Sequence, residues 1–172
     1  MAVQARETLP SAHSTLRLQG GRGVRATLYG GMATRTSRLN LEGITVLVVE
    51  DHGDSRDLMC DMVGSFGASV IGARDGEEAL AIASKKKPDL IFCDLRMPSM
   101  DGFEFIERLL AQPKLCRVPV IVVSGVSRKE DIFKTWTAGF SGHLVKPVTY
   151  EVVAAQLERV FWAHRRTGPS KR

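Results

Sequence analysis

The segment Ile44-Thr-Val-Leu-Val-Val-Glu-Asp51 is the clearest strand signal in the chain. Residues 44 to 49 form a continuous, largely β-branched run without polar alternation, the signature of a strand buried on both faces. It stops at two adjacent acids. Downstream, Leu58, Met59, Met62, Val63 and Phe66 recur at three- and four-residue spacing and predict a helix with these residues on one face. The pattern then repeats. A short strand is predicted over 68–73, a helix opened by Asp75 as N-cap over about 75–86, and a strand over 90–93 ending at Asp94. Further pairs follow: a helix over 102–111 and a strand over 118–123 ending at Ser124, then a helix over 128–138 and a short strand over 143–145. A last helix runs over 149–164. Strict strand and helix alternation with apolar strands implies an α/β fold, a doubly wound five-stranded parallel sheet with five helices on its two faces.

Composition narrows the function classes. The chain has 172 residues and a formal net charge of +5, but residues 1–40 carry six arginines and one acid. The remainder is balanced, with 18 basic and 18 acidic residues. A nucleic-acid footprint on the folded surface is therefore not expected, nor is direct DNA binding by the domain. No apolar run approaches the roughly 20 residues a membrane span needs. Cys60, Cys93 and Cys116 fit neither a disulfide framework nor a CxxC metal site, which favours a reducing, cytoplasmic setting. Residues 1–42, with GGRG at 20–23, read as a disordered basic extension; a transit peptide, a tether and a start at Met32 are three accounts of it. Residues 43–164 read as the domain and 165–172 as a flexible tail.

In an open α/β sheet ligands bind beyond the carboxyl ends of the strands. Glu50 and Asp51, Asp94, Ser124 and Lys146-Pro147 all stand at or just past strand ends. Taken singly, each has a structural account: a solvated strand end, an Asx turn before Pro98 and Gly102, a loop stop. Taken together they would gather three carboxylates, a hydroxyl and an ammonium on one edge. Three acids against one lysine call for a cation, and hard oxygen donors suit Mg²⁺. A carboxylate beside Mg²⁺ and a lysine is in turn a phosphoryl acceptor. Asp94 is the candidate nucleophile, Ser124 a donor to a phosphoryl oxygen and Lys146 a point charge.

The chain resembles the receiver domain of two-component response regulators over about residues 43–163. The matching motifs are VLVVEDHGDSR, IFCDLRMPSMDG, VIVVSG and GHLVKP, with 43 residues from Asp51 to Asp94, 30 to Ser124 and 22 to Lys146. The resemblance implies a flavodoxin-like strand order 2-1-3-4-5. It implies transfer of a phosphoryl group to Asp94 from a histidine kinase or phosphotransfer protein. It also implies Mg²⁺ held by Asp51, Asp94 and the backbone carbonyl of Arg96, with Glu50 acting through ordered water, and a cis bond before Pro147. The phosphorylated state would draw Ser124 inward and bias a partner surface on the fourth helix, fifth strand and fifth helix. A homodimer is one form such a partner could take.

Two substitutions are mild: Glu50 where Asp is commoner and Ser124 where Thr is commoner. His143 is a larger departure, because the family usually places a Tyr or Phe switch residue three positions before the lysine. Trp136, Ile132 and Phe133 lie beside that surface, while Cys93 is expected to face away from Asp94 as a core residue. Since no long segment follows His164, a single-domain regulator that works through partners is expected, not an enzyme. The main alternative is a phosphoaspartate-forming phosphatase or phosphotransferase, which usually carries an acid two residues past the nucleophile, where this chain has Arg96. A nucleotide-binding module lacks its glycine motif after the first strand. A non-signalling scaffold does not account for the intact acids, hydroxyl and lysine.

Overall fold

The computed structural model describes residues 39–125 and 127–167, without the side chains of 162–167. The readings of residues 1–38 and of 168–172 lie outside the described residues. Ten elements alternate as expected: β1 (Thr45–Val49), α1 (Gly53–Gly64), β2 (Ser69–Ala73), α2 (Gly76–Lys86), β3 (Leu90–Asp94), α3 (Gly102–Leu110), β4 (Val120–Ser124), α4 (Lys129–Thr137), β5 (Gly142–Val145) and α5 (Tyr150–Thr167). All strand pairs are parallel, in the order β2-β1-β3-β4-β5.

Side-chain alternation divides the sheet's residues between two cores. Leu47, Val49, Ile91, Cys93, Val120 and Val122 face one, with Phe105, Ile106 and Leu109 of α3. Val46, Val48, Leu90, Phe92, Ile121, Val123 and Leu144 face the other, with Met59 and Val63 of α1 and Val153 and Leu157 of α5. β3 and β4 are buried throughout, whereas the edge strands β2 and β5 keep exposed positions. This explains why the inner strands read as unbroken apolar runs and the outer ones do not.

Local chemistry sets the helix ends. Asp75 caps α2 by accepting from the Glu78 N–H at 2.8 Å, and Glu78 returns to the Arg74 N–H at 2.9 Å. Lys87 closes the helix in the left-handed region at φ 49°. Asp101 caps α3 in the same way, through the Glu104 N–H at 2.9 Å.

Three sequence expectations shift. The spacing groups Leu58 with the apolar face of α1, yet it is 55% exposed. At about 100° per residue it falls off the stripe made by Met59, Val63 and Phe66. The chain also enters the fold before residue 43: Leu41 is buried, and its N–H donates to the Phe66 carbonyl at 2.8 Å. At the other end α5 continues to Thr167, past the expected stop at His164.

Candidate functional site

The parallel sheet delivers the carboxyl ends of β1, β3, β4 and β5 to one edge. Glu50 and Asp51 follow β1 directly, Asp94 is the last residue of β3 and Ser124 the last of β4. Register places Asp94 opposite Val123 and Ser124 opposite Val145. Lys146 begins the loop after β5, its N–H donating to the Ser124 carbonyl at 2.8 Å, and the Lys146-Pro147 peptide is cis, as expected.

The predicted charges meet in space. Carboxylate oxygens of Glu50, Asp51 and Asp94 lie within 4.8 Å of one another, with Glu50 and Asp94 buried and Asp51 exposed. The Lys146 ammonium bridges the two buried acids, donating to Glu50 Oε2 at 2.7 Å and to Asp94 Oδ2. Asp94 Oδ1 accepts from the Arg96 N–H at 3.0 Å. Burial holds the Glu50 carboxyl above its ordinary value, with the Asp94 charge adding to the rise and Lys146 opposing it. Burial works against the Lys146 ammonium too, but its bonds to Asp94 and Glu50 win and its pKa is raised.

Two cavities flank the cluster. One of about 560 Å³ is lined by Asp51, Arg96, Met97, Pro98, Asp101 and Phe103. The other, about 480 Å³, is bounded by Glu50, Asp94 and Lys146 and by Leu58, Met59 and Pro147. The exposed Leu58 is thus a rim residue of the site.

Three carboxylates so close, with a single ammonium among them, are a hard-oxygen donor set that fits a divalent cation such as Mg²⁺. Glu50, Asp51 and Asp94 are the carboxylates that could hold it, and Arg96 follows in the loop after β3, two residues beyond Asp94. Ser124 is buried at the neighbouring strand end. His143 stands away from the carboxylates: its Nδ1 is 3.2 Å from the Thr135 hydroxyl of α4. Cys93 faces the opposite core, as alternation requires, and burial pushes its thiol far above the ordinary range.

Sequence reasoning missed two residues. Arg56 donates from Nη1 to the Glu50 carbonyl at 2.9 Å, and its stem lies over Gly72 of β2, where a Cβ would stand 3.2 Å from Arg56 Cδ. A single arginine in a charged helix start carries no sequence signal for this role. Thr135 is buried among the polar residues of α4, and only its 3.6-residue phase hinted at burial.

The model of the response regulator receiver domain matches residues 46–158, which hold every one of these groups. The chain belongs to this family. The receiver fold is a signalling switch, and receiver domains work with histidine kinases or phosphotransfer proteins. A chemotaxis response regulator of Vibrio cholerae superposes with a TM-score of 0.65 at 33% identity, covering 68% of this chain and 98% of that one. A 14.6 kDa protein of Leptolyngbya boryana is 39% identical over 108 residues, covering 63% of this chain and 82% of the relative. The gliding motility regulatory protein of Myxococcus xanthus is 36% identical over 118 residues, which are 68% of this chain but 15% of that protein. The receiver thus corresponds to a small part of some much longer relatives. Among the described residues no helix is long and apolar enough to cross a membrane.

Proposed function

We propose that this receiver is a phosphoacceptor switch of a two-component relay, with Asp94 as the nucleophile. The observation that carries the reading is Lys146 bound to both buried acids within a cluster of three carboxylates. A carboxylate oxygen of Asp94 attacks the phosphorus of a phosphohistidine on the kinase or phosphotransfer protein. The P–N bond breaks as the P–O bond forms, and the departing imidazole nitrogen keeps the electron pair and takes a proton. Bound through Asp51, Asp94 and the Arg96 carbonyl, with Glu50 acting through water, Mg²⁺ would offset charge on the transferred oxygens. Lys146 supplies the fixed positive charge, and Ser124 donates to a phosphoryl oxygen.

The acyl phosphate adds negative charge and acceptor oxygens at the sheet edge, which draws Ser124 inward. His143 on β5 then changes its engagement, and the surface of α4, β5 and α5 passes from one arrangement to another. That surface carries the exposed apolar side chains Phe133, Trp136 and Val145, suited to a downstream protein or a second copy of the chain. The setting is cytoplasmic, where the kinase's phosphohistidine is available.

Acetyl phosphate with Mg²⁺, or a cognate phosphorylated kinase, should label the protein on an acid-stable, base-labile linkage. Label that persists undiminished in Asp94→Asn would overturn the assignment. Sustained turnover of an added phosphomonoester would instead mark the chain as a phosphatase.

A further inference from the structure

Thr135 is buried on α4, and its hydroxyl touches two groups: Oγ1 lies 2.7 Å from the Ile132 carbonyl and 3.2 Å from His143 Nδ1. A hydroxyl has one hydrogen and two acceptor lone pairs. The Ile132 carbonyl can only accept, so that hydrogen is committed to it. The contact with His143 must then run the other way, from an Nδ1–H into the threonine oxygen. Neutral imidazole carries one proton, so the bond dictates which nitrogen holds it.

We infer that Thr135 is a positioning residue for His143, fixing the imidazole as the Nδ1–H tautomer and latching β5 to α4. The sheet register gives the latch its place in the switch. His143 pairs with Val122 of β4, two residues before Ser124, so Ser124 and His143 project on the same face of neighbouring strands. A displacement of β5 near Ser124 reaches α4 through this bond. The following residue of α4, Trp136, lies against the Arg159 guanidinium at 5.3 Å, which makes its indole a reporter of where α4 sits. The tautomer is a property of the unphosphorylated protein, whereas the transmission to α4 rests on the phosphoacceptor reading above.

The two parts are separable by experiment. Imidazole ¹⁵N shifts of the full chain at a pH where His143 is neutral should show a protonated Nδ1 and an Nε2 that carries no proton. Thr135→Val, which keeps the volume and loses the hydroxyl, should move the signal toward the Nε2–H form, and Thr135→Ser should restore the wild-type pattern. An Nε2–H tautomer in the wild type overturns the inference even if the valine variant does not fold. For transmission, Trp136 fluorescence is followed in a Trp162→Phe background on phosphorylation by acetyl phosphate and Mg²⁺. Thr135→Val should take up label as the parent does while its fluorescence response falls about fivefold. Equal label with an undiminished response refutes the latch. Failure of the parent to take up label refutes the phosphoacceptor reading and leaves the tautomer assignment to stand on its spectrum.

Discussion

The Lys146 ammonium donates to Glu50 Oε2 at 2.7 Å, joining residues 96 positions apart in sequence, and the same nitrogen reaches Asp94. One cation thus holds together two buried acids that would otherwise repel. Lys146→Met should lower unfolding free energy by about 2 kcal/mol at neutral pH without divalent metal, the scale of hydrogen bonds to charged groups. Urea unfolding checks this; an unchanged midpoint would mean that the bridge adds no stability.

If the carboxylate cluster takes a divalent cation, Mg²⁺ should stabilise the native state increasingly as its free concentration rises above its Kd. At ten times its Kd the gain is about 1.4 kcal/mol, from the logarithmic dependence on free ligand. Asp51→Asn, which removes an exposed charge and no packing, should abolish most of that gain while barely changing the melting temperature without metal. Thermal melts with and without Mg²⁺ decide it, and an unaltered Mg²⁺ response in Asp51→Asn would take Asp51 out of the site.

Glu50 has a pKa above its ordinary value of 4.5, chiefly through burial. The native state therefore holds this proton more tightly than the unfolded chain does, so the unfolded chain binds fewer protons in that window. The group's favourable contribution is complete below the ordinary pKa and is lost as pH rises through the folded one. In metal-free protein, the stability of wild type relative to Glu50→Gln should decline with pH across that interval and then level off. A difference that grows with pH would reverse the assignment.

Gly102 begins α3 with no room for a side chain. A Cβ there would sit 2.8 Å from the Asp94 carbonyl oxygen and 3.0 Å from Leu95 Cα, both backbone atoms that cannot swing aside. Gly102→Ala should cost about 2 kcal/mol in stability and weaken Mg²⁺ binding, since relief of the clash displaces the backbone of Asp94. Calorimetric titration with Mg²⁺ tests the second part, and wild-type affinity in a destabilised variant would separate packing from the site.

Gly142 on β5 and Gln156 on α5 form a tighter couple. A Cβ on Gly142 would fall 1.7 Å from Gln156 Nε2, a buried nitrogen without a hydrogen-bond partner among the described residues. Gln156→Met should stabilise the fold by about 1 kcal/mol by removing that orphan donor. Gly142→Ala should be destabilising alone and nearly neutral combined with Gln156→Ala. Additive penalties in the double-mutant cycle would contradict this contact.

Much of the fold was legible because its signals are local. The apolar run ending at Glu50-Asp51, the cap Asp75 and the placement of acids, hydroxyl and lysine at strand ends each depend on a few neighbouring residues. Alternation within β3 likewise placed Cys93 opposite Asp94 before any contact was known. Element boundaries moved by one to three residues, as at β4, where Val118 and Pro119 precede the strand, and at α5, which runs to Thr167.

A parallel α/β sheet with chemistry on its carboxyl edge can be read from the order of residues, because period and strand-end composition report which faces must be buried. Folding in three dimensions settles which polar groups touch: Lys146 spanning Glu50 and Asp94, Arg56 holding the Glu50 carbonyl, and Thr135 binding His143. It also decided that Leu58 lines the site's rim instead of filling the core. Those contacts join different elements, and their distances follow from register, twist and helix phase acting together, which no short window of sequence contains.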